Sequence, residues 1–427
     1  MRILWLKTEL LHPVDKGGKI RTYHMLREMK RAGQRITYLT LDENDDSDTQ
    51  AQGRRRRAQA MEYCDELICI PHRTRAKFSA GFYVELATGI VSSLPYFMKK
   101  YASEAMRRAI TEQAREGEFD VLVCDFLMPS INIPHEIEYP TLLFQHNVEA
   151  MIWRRHYEVQ THPLKKAYLY GEWLKTRAYE RAACRRFDAV VAVSRDDAQM
   201  IEREYALGSV ADVPTGVDTE FFRPQGNQKR ATHNLVFTGS MDWLPNEDAM
   251  RYFTEQVLPL IKARIPDATL TIVGRHPSQA LRELSARDPS IEVTGRVEDV
   301  RPYIERAAAF IVPIRIGGGT RLKIYEAMAM EKPVISTSIG AEGLPVREGA
   351  ELLIADTPEN FAASVVRVLM DETSALALGA RAAATVREKF SWRQVAADFV
   401  AICERAVAMR QASAREPDME FKKAITL

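Results

Sequence analysis

The sequence predicts an α/β fold made of two doubly wound parallel sheets, each in its own domain. Short apolar runs typical of buried strands alternate with longer amphipathic runs typical of helices along most of the chain. This alternation begins a second time after a loop and a polar stretch near 214–230. The length of 427 residues also exceeds what a single hydrophobic core usually supports.

In the first half, apolar runs of strand length are separated by segments with helical periodicity. The predicted strands are 3–6, 36–41, 121–124, 141–144 and 189–193. Helices are predicted over 19–32 and 164–187. The polar, charged region 42–60 is predicted to be an exposed loop that leads into a helix.

The second half shows the same alternation. Strands are predicted at 235–238, 270–273, 291–293, 309–314, 333–336 and 352–354, and the first helix at 246–264. The tail 411–427 has no sustained pattern, so no ordered element is predicted there.

Composition excludes several classes of protein. Lys+Arg 59 against Asp+Glu 58 gives no overall bias, and we predict no nucleic-acid partner. The five cysteines lack CxxC spacing, which indicates reduced core thiols rather than disulfides or zinc. The acidic run Asp45-Asp46-Ser47-Asp48 is interpreted as solvated charge, so no metal is predicted.

No apolar run has the ~20 residues of a membrane span, and the apolar run at the start is too short for a signal peptide. The expected location is the cytoplasm.

One segment raises the question of membrane contact. Residues 94–113 place Lys99, Lys100, Arg107 and Arg108 among aromatic and aliphatic side chains. A basic amphipathic helix of this kind can lie on the inner face of an anionic membrane. An ordinary surface helix with extended cationic side chains explains the pattern as well, and we favour it.

The densest motif follows the predicted strand 309–314. Gly317, Gly318 and Gly319 permit a tight turn that brings backbone N–H groups close to a ligand. Thr320 can cap the following helix, whose first turn suits a phosphate. Arg321 and Lys323 add two positive charges, and Glu326 can accept hydrogen bonds from sugar hydroxyls. A diphosphate with a ribose attached fits this order of groups.

Strand ends in the first half supply further candidates, because ligands of open α/β sheets bind there. The pair Gly17 and Gly18 follows the first strand. His146, Asn147 and Glu149 follow the strand 141–144, and Asp125 follows the strand 121–124. Helix capping explains Glu149 and Asp125 as well as a role at the acceptor does.

The motif Gly317-Gly318-Gly319-Thr320-Arg321-Leu322-Lys323-Ile324-Tyr325-Glu326-Ala327-Met328-Ala329 resembles that of family 4 glycosyltransferases of GT-B fold. Val193-Ser194, Gly216-Val217-Asp218, Gly239-Ser240-Met241-Asp242-Trp243 and Gly295-Arg296-Val297 match as well. The resemblance implies two Rossmann-like domains that face each other across a cleft. The domains would be 1–218 on the acceptor side and 219–390 on the donor side. A C-terminal helix over about 391–410 would complete the first domain.

The resemblance also implies roles for individual residues. Glu326 would bind the donor ribose, and the backbone at Arg296 and Val297 would lie by the base. Gly239 and Ser240 would lie near the phosphates. His146 would contact the donor sugar. Further contacts would come from the Gly17-Gly18 loop, which would face the donor phosphates or the acceptor. Independently of the resemblance, Glu342 lies in a glycine-containing loop after the strand 333–336 and could meet ribose or sugar hydroxyls.

Two departures from the family pattern affect the donor site. Gly318 stands where many members carry a first glutamate that contacts the sugar. The segment 237–249 lacks the Arg and Lys pair that many members use on the diphosphate. Arg321 and Lys323 are expected to supply that charge instead.

The expected activity is glycosyl transfer, with retention, from a nucleoside-diphosphate sugar to a glycan or lipid-linked acceptor in polysaccharide or cell-surface glycan synthesis. No cofactor is expected, and the base and sugar of the donor stay open. Two alternatives are a nucleotide-sugar epimerase of related fold and a non-catalytic nucleotide-sugar-binding scaffold subunit.

Overall fold

The structure is a computed structural model that describes residues 1–42, 50–72, 89, 92–117, 119–316 and 322–425, without the side chains of 50–52 and 413–425. Two compact units divide the chain. The N-terminal unit consists of Met1–Pro214 and Val395–Leu427, and the C-terminal unit of Thr215–Gln394.

Seven parallel strands form the sheet of the N-terminal unit within the described residues, in the order β3-β2-β1-β4-β5-β6-β7. They are β1 (Arg2–Lys7), β2 (Arg35–Asp42), β3 (Glu66–Pro71), β4 (Val121–Asp125), β5 (Thr141–Gln145), β6 (Ala189–Ala192) and β7 (Ala211–Asp212). Ile3 pairs with Ile36 on one side and Val121 on the other. Because β1 and β4 are central and covered on both faces, their residues are almost all apolar.

Helices connect these strands. They are α1 (Gly17–Arg31), α2 (Gln50–Ala60), α3 (Tyr96–Lys99), α4 (Glu104–Glu116), a 3₁₀ helix (Met128–Asn132), α5 (Glu149–Val159), α6 (Pro163–Arg186) and α7 (Arg195–Tyr205). Met106 and Ile110 of α4 are fully buried in the core beside Leu122 and Leu143. The apolar face of α4 is therefore occupied by the core of its own unit.

The C-terminal unit repeats the plan with six parallel strands among the described residues, in the order β10-β9-β8-β11-β12-β13. They are β8 (Asn234–Thr238), β9 (Thr269–Val273), β10 (Ile291–Gly295), β11 (Ala309–Val312), β12 (Val334–Ser336) and β13 (Leu353–Ile354). Both sheets thus reverse the direction of strand addition beside their first strand, at β1/β4 and at β8/β11. Open α/β sheets bind ligands at such a switch point.

The helices of this unit are α8 (Leu244–Tyr252), α9 (Leu258–Lys262), α10 (Gln279–Arg287), α11 (Arg301–Arg306), α12 (Leu322–Ala329), α13 (Pro358–Met370) and α14 (Glu372–Lys389). A π-helical turn, Phe253–Val257, joins α8 to α9. The helix predicted over 246–264 is therefore interrupted, since a wider turn precedes Pro259.

The structure differs from the sequence predictions in three further places. The segment 94–113 forms two helices, because Ser103 accepts a hydrogen bond from the Met106 N–H and starts α4. The strands β3 and β7 were not predicted from the sequence. No ordered element was predicted in the tail 411–427, but one helix, α15 (Trp392–Ile425), continues into it.

Helix α15 begins in the C-terminal unit and continues as part of the N-terminal unit. Trp392 lies against Gly216 in the C-terminal unit, where a β-carbon on the glycine would come within 2.6 Å of the indole ring. In the N-terminal unit Phe399 is fully buried, with ring centroids 5.4 Å from Trp5 and 4.9 Å from Phe144. Among the described helices, none is both long and apolar enough to cross a membrane.

Candidate functional site

A buried carboxylate organises the switch point of the N-terminal sheet. Asp125 ends β4 and is fully buried. Its Oδ2 accepts hydrogen bonds from Lys7 Nζ at 2.8 Å, Thr22 Oγ1 at 2.7 Å and Trp5 Nε1 at 3.0 Å. Its Oδ1 lies 2.6 Å from His146 Nε2. The four donors come from β1, α1 and the end of β5, so the carboxylate fixes these elements to one another.

The hydrogen bonds define the protonation of His146. Burial would raise the pKa of Asp125, but the adjacent Lys7 and His146 hold this pKa below its ordinary value. Burial also lowers the pKa of His146 to about 3, against the pull of Asp125. The Arg21 guanidinium lies 3.2 Å from His146 Nδ1 and can only donate. His146 is therefore neutral, with its proton on Nε2 and its Nδ1 accepting from Arg21.

Phe126, directly after Asp125, has a strained backbone with φ 74°. Its ring stacks on His146 at a centroid distance of 3.9 Å and an interplanar angle of 11°. Lys7 Nζ lies 4.2 Å from the same ring centroid. A β-carbon at Gly18 would come within 2.7 Å of the Phe126 ring. Gly18 is thus needed for this close approach, whereas Gly17 has open space around it.

A second carboxylate cluster follows β5. Glu180 accepts hydrogen bonds from the N–H groups of Glu149 and Ala150, each at 2.9 Å, and from Tyr205 Oη at 2.5 Å. It thereby caps α5. Burial raises the pKa of Glu149 to about 7, and the charge of Glu180 adds to this effect. Asn147 is exposed and hydrogen-bonds to Glu149.

In the C-terminal unit, Lys323 of α12 reaches the end of β8. Its Nζ donates to Asn246 Oδ1 at 2.9 Å and lies 4.0 Å from the Phe237 ring centroid. A β-carbon at Gly239 would lie 2.7 Å from both Lys323 Nζ and Asn246 Nδ2. Asn246 in turn donates to the Ser240 carbonyl at 2.8 Å. A cation from a later helix therefore lies after the first strand of the unit.

A second cation contacts Ser240, whose carbonyl accepts from Asn246. Arg275 follows β9, and its Nε donates to Ser240 Oγ at 2.8 Å. Ser240 Oγ also donates to Asp242. Gly274 and Gly239 are in tight backbone contact, which only glycine permits at position 274. Arg275 is exposed, so its guanidinium is accessible from solvent at the carboxyl end of the sheet.

Glu326 lies one turn after Lys323 on α12 and is half-buried. Burial raises the pKa of its carboxyl to about 7, although Lys323 opposes the shift. Arg296 and Glu342 are exposed, and Val297 is partly buried against the core. The predicted residues Gly317, Gly318, Gly319, Thr320 and Arg321 lie outside the described residues.

Several residues of these clusters were missed by sequence reasoning. Lys7 and Trp5 belong to a strand that reads as plain core, and Arg21 to an ordinary amphipathic helix. Phe126 follows β4 directly, and Arg275 follows β9 after one glycine, so a position just after a strand was the available signal. In the described part of the chain, no group of His, Cys, Asp and Glu side chains is arranged to hold a metal ion.

Two family models match the chain. Residues 16–221 match Glycosyltransferase Family 4, and residues 232–371 match Glycosyl transferases group 1. An "Uncharacterized 44.6 kDa protein in cps region" of Klebsiella pneumoniae is 20% identical over 92% of this chain and 97% of its own length. The phosphatidyl-myo-inositol mannosyltransferase of Mycolicibacterium smegmatis is 27% identical over 47% of this chain. The chain spans about half of that relative's length, 53%.

Solved structures show the same fold. Sucrose-phosphate synthase from Thermosynechococcus elongatus superposes with a TM-score of 0.62 and 16% identity over 96% of this chain and 99% of its own. Anabaena Alr3699/HepE, solved in complex with UDP, gives a TM-score of 0.62 and 12% identity over 95% of this chain and 100% of its own. One conclusion follows from these findings. The two parallel sheets have this strand order, the two family models together cover most of the chain, and the solved structures share the fold. The chain belongs to the glycosyltransferases of the GT-B type, in family 4 and group 1.

Proposed function

We propose that this glycosyltransferase takes its sugar from a nucleoside-diphosphate sugar bound by the C-terminal unit and transfers it, with retention, to a glycan or lipid-linked acceptor bound by the N-terminal unit. The observation that carries the proposal is Lys323 at the end of β8, where its Nζ lies beside Gly239 and Asn246. A cation beside a glycine at a switch point suits a diphosphate.

The remaining donor contacts follow from the same helix. Glu326 would accept hydrogen bonds from the ribose hydroxyls. Arg321 and Arg275 would add charge to the leaving diphosphate, and the Gly317-Gly318-Gly319-Thr320 turn would offer backbone N–H groups. The base would lie near Arg296 and Val297, with Glu342 at a sugar or ribose hydroxyl.

The proposed chemistry needs no nucleophile from the protein. The acceptor oxygen forms a bond to the anomeric carbon as the bond from that carbon to the phosphate oxygen breaks. The acceptor proton passes to the leaving phosphate. The buried Asp125 is held by four donors, which makes it a poor base and favours this route. His146, Gly17 and Gly18 would then shape the site, and Asn147 and Glu149 would face the acceptor.

Names of relatives and neighbours suggest which ligands to test first. Mycobacterial relatives are named GDP-mannose-dependent mannosyltransferases, and the Anabaena neighbour was also solved with UDP-glucose. Relatives that act on phosphatidylinositol compounds, and one from a cps region, support a lipid-linked or polysaccharide acceptor. Free cysteines at 64, 124, 184 and 403, all buried, support work in a reducing compartment.

The first test is thermal stabilisation by UDP, GDP and ADP and by UDP-glucose and GDP-mannose. A selective rise in Tm is expected for one base, lost in Lys323→Ala and kept in Lys229→Ala, which removes an exposed lysine of the same unit. Sugar transfer to an added acceptor would then establish the activity. Binding without turnover would support the scaffold alternative, and interconversion of a UDP-sugar the epimerase.

A further inference from the structure

The N-terminal unit contains a cavity of about 460 Å³ at the end of β1, with no role in the donor chemistry proposed above. Its described lining carries five cationic side chains, Lys7, Lys16, Lys19, Arg56 and Lys100. We call it the basic cavity. Lys16 directly precedes α1, and Lys19 lies in its first turn, which contains no acidic residue. The positive end of the α1 dipole therefore adds to the charge of the lysines.

Among the described residues, carboxylates offset part of this charge. Lys7 is paired with the buried Asp125 at 2.8 Å. Two acidic residues, Glu9 and Asp42, belong to the described lining of the basic cavity. Glu9 is shared by Lys19 at 3.4 Å and Lys16 at 4.0 Å, so one carboxylate serves two ammonium groups. Asp42 is paired with Arg56 at 3.3 Å. Lys19 is nonetheless buried, with 8% of its surface exposed. Several positively charged side chains in a concave wall raise the local concentration of anions.

The cavity also offers room beyond the charges. Phe126, Tyr101 and Leu10 give it an aromatic and aliphatic wall. A second cavity of about 750 Å³ shares His12 and Arg56 with it and adds Arg55 and Tyr23 to the described lining. The shared residues make the two cavities neighbours. A phosphate in the basic cavity could thus carry a sugar or chain that extends along its wall.

We propose that the basic cavity binds the phosphate of a phosphate-bearing acceptor, either a soluble sugar phosphate or a lipid-linked sugar phosphate. This inference rests on the proposed function, because it names the acceptor class for that transfer. An uncharged acceptor would leave Lys16 and Lys19 with one carboxylate between them in a concave wall. A phosphate supplies the missing negative charge, and lysines suit it as point charges.

Binding of two probes tests the proposal. Glucose 1-phosphate represents the soluble source, and phosphatidylcholine vesicles with and without a polyprenyl-diphosphate sugar represent the lipid source. Affinities are measured by calorimetry and vesicle flotation, with the donor nucleotide at saturation so that the donor site is filled. Lys16→Gln and Lys19→Gln should each lower the affinity for the probe about tenfold. The matched control Lys165→Gln, an exposed lysine on α6, should not.

The outcomes separate this inference from the proposed function. Stabilisation by the donor nucleotide should survive both lysine substitutions, because the contacts proposed for its diphosphate and ribose, Lys323 and Glu326, lie in the other unit. Dependence on Lys16 with glucose 1-phosphate identifies a soluble acceptor, and dependence only with the loaded vesicles identifies a lipid-linked one. If both probes bind the two variants as tightly as the control, the inference is overturned, even if donor binding and transfer hold. Lys16 is largely exposed, so its variant should fold even if Lys19→Gln does not.

Discussion

His146 has both ring nitrogens engaged inside the N-terminal unit, one by Asp125 and the other by Arg21. The side chain is therefore a positioning group, which holds the end of β5 against β4 and α1. Its position after a strand made it a candidate from sequence, and the site prediction stays a prediction. The partners that fix its protonation lie 21 residues away at Asp125 and 125 residues away at Arg21, so spacing alone could not reveal them.

Neutral His146 can be observed directly. We expect ¹⁵N NMR to show the Nε2–H tautomer unchanged from about pH 5 to about pH 8, unlike an exposed histidine. Because the folded pKa of about 3 lies below the unfolded value of 6.5, the associated stability is present above pH 6.5. It is lost as the pH falls toward 3. Titration of His146 near its unfolded pKa would contradict this assignment.

Glu326 gives a second prediction at this scale. Its pKa of about 7 means that its carboxyl is partly protonated near neutrality. Ribose hydroxyls donate to the ionised form, so nucleotide binding should release a proton and tighten as the pH rises through 7. Glu326→Gln should bind the nucleotide about tenfold more weakly. It should also lose the part of the pH dependence that the phosphate itself does not cause. Calorimetry in buffers of different ionisation enthalpy would measure the proton release. Identical pH profiles for the two proteins would exclude this role of Glu326.

At the scale of elements, the Lys323 side chain of helix α12 lies beside Gly239, the residue directly after strand β8. The sequence predicted both elements and the charge on α12, because strand alternation and the glycine motif are local signals. It could not show that Lys323 ends beside Gly239, since that contact joins residues 84 positions apart in the chain. The cation that appeared to be missing after β8 comes from α12 instead.

Gly239→Ala tests this meeting point. The new methyl group would lie 2.7 Å from Lys323 Nζ and Asn246 Nδ2, so the lysine must move away from the strand end. We expect nucleotide affinity to fall about tenfold while the protein stays folded. Gly208→Ala is the control, since nothing lies within 4 Å of the added carbon there. Unchanged nucleotide affinity in Gly239→Ala would show that the position of Lys323 is irrelevant to the donor.

At the scale of the whole molecule, each of the two compact units contains one parallel sheet, and the two sheets follow the same plan. The fold class was predictable because buried parallel strands are short apolar runs. The edge strands were harder. β7 has two residues, and β3 carries an acidic residue and a proline at its ends. The C-terminal end of α15 lacks an apolar pattern of its own, so the local sequence did not predict a helix there.

Phe399 links α15 to the N-terminal core and to the Asp125 network through Trp5. Phe399→Ala should lower the free energy of unfolding by about 3–5 kcal/mol, since a large buried ring leaves a cavity. Met409→Ala removes an exposed side chain of the same helix and should change it by less than about 0.5 kcal/mol. Urea unfolding followed by tryptophan fluorescence measures both. Equal effects of the two substitutions would mean that α15 does not stabilise this core.

Lys323 and Glu326 lie three residues apart on α12, and this spacing has a consequence for how donor choice can change. The cation that we propose for the diphosphate and the carboxylate that we propose for the ribose are carried by one short helix. The helix fixes the spacing of their Cα atoms, so a shift of α12 moves both groups together. Donor preference should therefore vary through the residues that surround α12. Replacing the corresponding helix of a relative with α12 would transfer both contacts together.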